Sequence, residues 1–212
     1  MLNITSYPLG PIQTNCYIIE DASKNCIIID PGEEGKRIID VILQNELKPL
    51  AILLTHGHFD HIGAVDVVRD EFNIPVYIHE LEKDSLTDPA QNGSTRYPTL
   101  PLVKNRKADY LFSEEGVKTI GPFRFNVLHT PGHSVGSVSF VFTEERFAVV
   151  GDTLFNQGVG RTDLPGGDTD ILLSSIHNKL LSLGDDFIIY PGHGPSTTTT
   201  NEMDGNPFLN GF

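Results

Sequence analysis

Apolar and polar positions along the chain follow two periods in turn, about two for strands and about 3.6 for helices. Strands are expected near residues 2–8, 15–20 and 26–30. Ile38, Ile39, Ile42, Leu43 and Leu47 are then spaced for one helical face, and the apolar stretch LAILL marks a buried strand over 50–54. A second helix follows THGHFDH, with Val65, Val68 and Phe72 on one side, and Pro75 opens the strand PVYIH. Further strands are expected near 123–129, 137–142 and 147–151. A helix starts at Asp168 or Thr169, either able to cap it, and carries Leu172, Leu173, Ile176, Leu180 and Leu183. The last strand, FIIY, runs into PGHG. Strands alternating with helices in two similar halves predict an α/β sandwich.

Residues 84–108 carry three prolines and a cluster of turn formers, which reads as a long excursion, and loops of that length usually have a job or move. Cys16 and Cys26 fall on adjacent strands joined by the turn Asp21 to Asn25. Pairing Glu20 with Cys26 puts Cys16 opposite Asp30, so both thiols are expected to be buried and free.

At 212 residues, the chain is expected to form one domain over 1–212, with a core that needs no metal or disulfide to fold. The formal net charge of -13 repels nucleic acid and anionic membrane surfaces, and the short basic run Lys104 to Lys107 falls short of a phosphate-binding patch. The start, MLNITSYPLG, has neither the basic nor the apolar part of a signal peptide, and no apolar run reaches 18 residues. A cytoplasmic location is the expectation.

The chemistry lies at strand ends. LAILL runs into THGHFDH, FNVLHT into PGH at His133, FAVVG into Asp152, and FIIY into PGH at His193. At average residue frequencies the pattern HxHxDH arises by chance on the order of once in 10³ sequences of this length. Three further donors at three further strand ends make coincidence rarer still. Imidazole and carboxylate without thiolate suit zinc, iron or manganese in a functional site. Seven donors exceed the needs of one tetrahedral ion and suit two ions sharing a carboxylate. Glycines beside His133, Asp152 and His193 are expected to give these loops unusual backbone angles.

THGHFDH, TPGHS, GDTLF and PGHG, in this order, resemble the metallo-β-lactamase fold superfamily over nearly the whole chain. The resemblance implies a four-layer αβ/βα sandwich with two divalent ions, zinc first among them and iron or manganese as alternatives. His56, His58 and His133 would hold the first, Asp60, His61 and His193 the second, and Asp152 would bridge them. The zinc β-lactamases place cysteine at the position of Asp152 and arginine after that of Asp60, so antibiotic hydrolysis is not the expected activity.

Within the superfamily, GDTLFNQGVGRTDLPGGD and the ending GHGPSTTTTNE...NPF resemble the glyoxalase II group, especially its small bacterial members. That implies hydrolysis of a thioester such as S-lactoylglutathione by a metal-bridging hydroxide, with Asp60 orienting the nucleophile or accepting its proton. The departing thiolate needs little help from a general acid. Full-length glyoxalase II enzymes continue past NPF into a helical domain that binds glutathione. This sequence ends at Phe212, which leaves the thiol carrier open within the expectation of a thioester of a small thiol. GxGRTD also resembles the persulfide dioxygenases of the superfamily, in which one iron would fall to His56, His133 and Asp152. A third reading is a metal-binding or electron-transfer module without catalysis.

Two further residues stay open between roles. Arg161 meets a substrate carboxylate, or it pairs with Asp163 or Asp168 to pin its own loop. Asp30 supports a metal-bound histidine from behind, or it caps a turn. His79, His129 and His177 lie outside the motif, with His177 expected at the surface or core edge.

Overall fold

A hairpin sets the register of the N-terminal sheet in the computed structural model, which describes residues 2–209. Strand β1 (Asn3–Leu9) runs antiparallel to β2 (Thr14–Glu20), and β2 to β3 (Asn25–Ile29), with Glu20 paired to Cys26 as expected. The β2–β3 turn is closed by Asp21, whose Oδ1 accepts from the backbone N–H groups of Ser23 and Asn25 at 2.8 and 2.9 Å.

The chain divides into two units, one built on residues up to Ser113 together with Ile120–Phe123, the other on Glu114–Thr119 and Arg124 onward. In the first, helix α1 (Gly35–Gln44) leads to β4 (Lys48–Leu53). The short helix α2 (Phe59–Ile62) and α3 (Val65–Phe72) follow, then β5 (Val76–His79) and β6 (Tyr110–Phe112). The sheet order is β1-β2-β3-β4-β5-β6, antiparallel on the hairpin side and parallel from β3 to β6. Ile38 and Ile42 of α1 and Val65 and Val68 of α3 pack with Ile18, Ile28, Ile52 and Ile78 of the sheet in one cluster. Burying each such side chain stabilises the fold by about 1.5–3 kcal/mol. The alternate sheet residues Ile19, Ile27, Ile29 and Leu53 are buried as well.

One expected core residue is displaced: Leu43 is 57% exposed, and Val41 packs against the cluster instead. Five positions at 100° each carry Leu43 about 140° away from Ile38, beyond the apolar stripe.

In the second unit, β7 (Gly116–Ile120), β8 (Phe123–His129), β9 (Val138–Phe142) and β10 (Phe147–Gly151) are followed by the small hairpin β11 (Leu154–Phe155) and β12 (Gly158–Val159). Helix α4 (Thr169–Ser175), β13 (Ile188–Pro191), β14 (Thr197–Thr198) and α5 (Thr199–Gly205) complete it. The second sheet has the order β14-β13-β10-β9-β8-β7, with β10 and β13 parallel. Its helix-facing cluster joins Val141, Ala148, Val150 and Ile189 to Leu172, Ile176 and Leu180. Asp168 caps α4, its Oδ1 accepting from Ile171 N at 2.9 Å. Beyond Ser175 the turns widen to a π-helix at Ile176–Leu180 and then tighten to a 3₁₀ turn at Leu181–Leu183. Ile176 and Leu180 stay buried across the widened turn, where the periodicity predicts one regular helix. Both cysteines are free and buried. Among the described residues no helix is long and apolar enough to cross a membrane.

Candidate metal centre

In the first unit the donors collect where parallel strands end, the usual place for a ligand site in α/β sheets. Asp30 leaves β3 with φ +51, and its backbone N–H donates to Leu53 O. Its carboxylate then ties down the end of β4. Thr55 donates twice, from N to Asp30 Oδ1 at 2.8 Å and from Oγ1 to Asp30 Oδ2 at 2.5 Å. Asp30 Oδ2 also accepts from His61 Nδ1 at 2.9 Å.

These contacts fix ring tautomers, because a carboxylate is acceptor-only and Thr55 has a single hydroxyl proton. His61 carries a proton on Nδ1, and in the neutral ring this leaves Nε2 as the basic nitrogen. The Thr55 hydroxyl, already donating to Asp30, accepts from His56 Nδ1 at 3.0 Å, so His56 too presents a basic Nε2. That Nε2 lies 3.1 Å from His58 Nδ1. His56 and His61 are fully buried with ring centroids 4.1 Å apart, and His58 is half-buried.

Asp60 is the fourth donor of the motif. Its Oδ2 accepts from Thr14 Oγ1 at 2.8 Å and stands 3.5 Å from His61 Nε2. Helix α2 is itself anchored, since Phe59 N donates to Asn92 O and the Gly57 N–H donates to the buried carboxylate of Glu82 at 3.2 Å. A methyl group at Gly32 would overlap the carbonyl oxygen of Asp60, so only glycine permits this approach.

The second unit brings three donors together by strand register. Between Val149 and Gly151 the β10–β13 ladder slips by one residue, so that Gly151 pairs with Pro191. Gly192 N then donates to Gly151 O at 2.8 Å. Such a slip re-aims the following side chain. Asp152 and His193 leave adjacent strand ends, and Asp152 Oδ2 lies 3.5 Å from His193 Nε2. His133, from the β8–β9 connection, places its Nε2 3.6 Å from the same oxygen. Its Nδ1 donates to the backbone carbonyl of Arg161 at 2.8 Å, which again leaves Nε2 basic. The flanking Gly132, Gly151 and Gly194 have φ of +124, +53 and +76.

This donor set fits a metal. A basic imidazole nitrogen facing a carboxylate oxygen at about 3.5 Å is a contact of two electron-rich atoms, repulsive unless a cation lies between them. Asp152 Oδ2 stands 3.6 and 3.5 Å from the Nε2 atoms of His133 and His193, within reach of two separate imidazoles as a shared carboxylate would be.

Several supporting groups had no signal in the sequence. Thr14 and Glu82 act from positions outside any motif, and Thr55 and Arg161, although inside THGHFDH and GVGRTD, act through a hydroxyl and a main-chain carbonyl that the motifs do not single out. The Arg161 side chain is exposed and forks onto Asp163, with Nε and Nη2 each 2.7 Å from a carboxylate oxygen. Of the remaining histidines, His79 is buried and accepts from Leu81 N at 3.3 Å, His129 lies 2.9 Å from Val135 O through Nε2, and His177 is exposed.

The pattern of the Metallo-beta-lactamase superfamily matches residues 9–193. Hydroxyacylglutathione hydrolase GloC of Haemophilus influenzae is 42% identical over 214 residues, 99% of each chain. The solved structure of BLEG-1 B3 metallo-β-lactamase is similar with a TM-score of 0.96 and 53% identity, covering 99% of this chain and 100% of that one. TTHA1623 in a di-iron-bound form is similar with a TM-score of 0.86 and 40% identity over 97% and 100% of the two chains.

Proposed function

The chain belongs to the metallo-β-lactamase superfamily, as a metallo-hydrolase with that family's α/β fold of two mixed sheets and flanking helices, and from this premise we propose that it hydrolyses a thioester of a small thiol. Its donors are taken to hold two divalent ions, His56, His58 and His133 on one, Asp60, His61 and His193 on the other, and Asp152 on both. Zinc suits this nitrogen and oxygen set, and the di-iron form of TTHA1623 makes iron the alternative. When bound, such a pair of ions supplies an activated water near neutral pH and polarises a carbonyl oxygen.

What the protein's own residues contribute follows from their contacts. Asp30 holds His61 in the tautomer with a basic Nε2, and Thr55 does the same for His56. The Arg161 carbonyl plays that part for His133. Thr14 occupies one lone pair of Asp60 and so orients its carboxylate, which would orient the attacking water or accept its proton. In the reaction the acyl carbon gains an oxygen and loses the sulfur, which leaves as a thiolate stable enough to need no donated proton.

The observation that carries this reading is the likeness to GloC across 99% of both chains, together with the Asp152 oxygen set between two imidazoles. A second reading, opening of a β-lactam ring, is favoured by the 53% identity to BLEG-1. Its amide nitrogen is a poorer leaving group and requires a proton. Thiol release from S-lactoylglutathione, followed beside hydrolysis of a chromogenic cephalosporin and oxygen uptake on glutathione persulfide, separates the readings. Thiol release at least a hundredfold faster in kcat/KM than cephalosporin opening is expected. Cephalosporin opening alone, or oxygen uptake, would overturn the thioester assignment.

A further inference from the structure

A cavity of about 230 Å³ lies within the first unit beside Asp60. Asp60 and Thr14 form part of its lining, and the rest is mainly apolar: Ile12 from the β1–β2 turn, Phe59 from α2, and Leu100 and Leu102 from the long excursion. Its other charged members, Glu33 and Lys104, are exposed. One water-sized group needs only about 10–15 Å³ of cavity space, so the cavity is ample for a chain of several carbons.

The apolar wall is built into the fold. Asn92, fully buried, donates through Nδ2 to Ser85 O and Val103 O at 3.0 and 2.9 Å, while its Oδ1 accepts from Ser94 N. Its carbonyl accepts from Phe59 N, and Asn105 Nδ2 donates to Ile62 O at 2.9 Å. The excursion is therefore bonded at both ends of α2, the helix that carries Asp60 and His61. Leu102, 65% exposed, and Ile12, 40% exposed, are apolar groups with open faces at such a wall.

We infer that this cavity receives the acyl group of the substrate, and that the acyl group is an apolar chain of about four to six carbons. The inference rests on the thioester reading. The acyl chain is bonded directly to the attacked carbon, so it must lie beside the donors around Asp60. Small biological thiols carry charged and amide groups that an apolar wall would desolvate at a cost. An alkyl chain is instead stabilised there, each buried methylene giving about a fourfold gain. The excursion thus sets acyl specificity, and the lactoyl group, short and hydroxylated, uses little of the space.

The test is a kcat/KM series on acetyl, butanoyl and hexanoyl thioesters of N-acetylcysteamine, run on the metal-loaded full-length protein. Hexanoyl is expected to exceed acetyl at least tenfold. In Leu102→Asp and in Ile12→Asp, both at exposed positions, that ratio should fall at least fivefold. A flat or falling series, or an unchanged ratio in both variants, overturns the assignment of the cavity while leaving thioester hydrolysis standing. Turnover of no thioester, S-lactoylglutathione included, overturns the underlying reading and the inference with it.

Discussion

Asp30 Oδ2 accepts a hydrogen bond from His61 Nδ1 at 2.9 Å, and both side chains are buried to within 2% of full enclosure. One carboxylate so placed decides which nitrogen of a candidate ligand is basic, and through Thr55 it does the same for His56. Asp30→Asn keeps the shape, and asparagine tolerates the positive φ of this position. Losing the charge should weaken metal binding 10–100-fold. Competition with a chromogenic chelator measures this directly, and wild-type affinity in the variant would remove Asp30 from the support of the site.

Gly160 lies against the donors of the second unit: a methyl group there would overlap the carbonyl oxygen of Asp152 and come within 3.2 Å of His133 Cβ. Gly160→Ala must move one of these backbones, at roughly 1–3 kcal/mol. A melting point lowered by about 2–10 °C is expected, with weaker metal binding. Gly158→Ala is the control, since its methyl would meet Phe155 Cβ at an ordinary 3.6 Å. Equal melting points for the two variants would contradict the close-approach account.

Much of this was readable in the sequence because strand ends announce themselves. An apolar run that stops at THGHFDH, at His133, at Asp152 or at His193 changes character within one residue, and the structure places His56, His58, His133, Asp152 and His193 in the loops after strands, with Asp60 and His61 on the short helix α2. The hairpin register matches the pairing of Glu20 with Cys26, while residue type leaves the cap open between Asp168 and Thr169 and the bond to Ile171 N selects Asp168. What stayed hidden depends on long-range contact. Thr14 meets Asp60 from 46 positions away, and the Arg161 carbonyl meets His133 through an atom every residue has. The excursion over 84–108 could be recognised as long and turn-rich, but its bonding to α2 runs through Asn92 and Asn105, whose side chains replace secondary structure there.

That bonding gives a stability prediction. Asn92→Ala removes three hydrogen bonds, two of them buried, and leaves their backbone partners without its amide, so a loss of roughly 2–4 kcal/mol is expected. Limited proteolysis should find new cleavage between residues 84 and 108, and urea unfolding should give the loss. Wild-type stability would show that the excursion is held by other means.

The two thiols predict an alkaline limit to stability. Burial pushes the Cys26 thiol up to about 12 from an ordinary 9.0, with the charges of Glu20 and Asp21 adding to it, and burial beside Asp30 pushes Cys16 higher still. Above pH 9 the unfolded chain releases thiol protons that the folded chain retains, so stability present below pH 9 is lost as pH rises toward 12. Urea unfolding at a series of pH values should show this fall, and Cys26→Ala should reduce its slope. A native protein whose thiols react with a disulfide reagent at pH 8 as fast as in urea would contradict their burial.

If Asp152 joins two metal ions as proposed, the metal content of Asp152→Ala must differ from that of the wild type, each purified without added metal and analysed by plasma mass spectrometry. About two ions per chain are expected in the wild type and at most one in the variant, with thioester turnover down at least a hundredfold and the melting point little changed. Wild-type metal content together with wild-type turnover in Asp152→Ala would contradict the account.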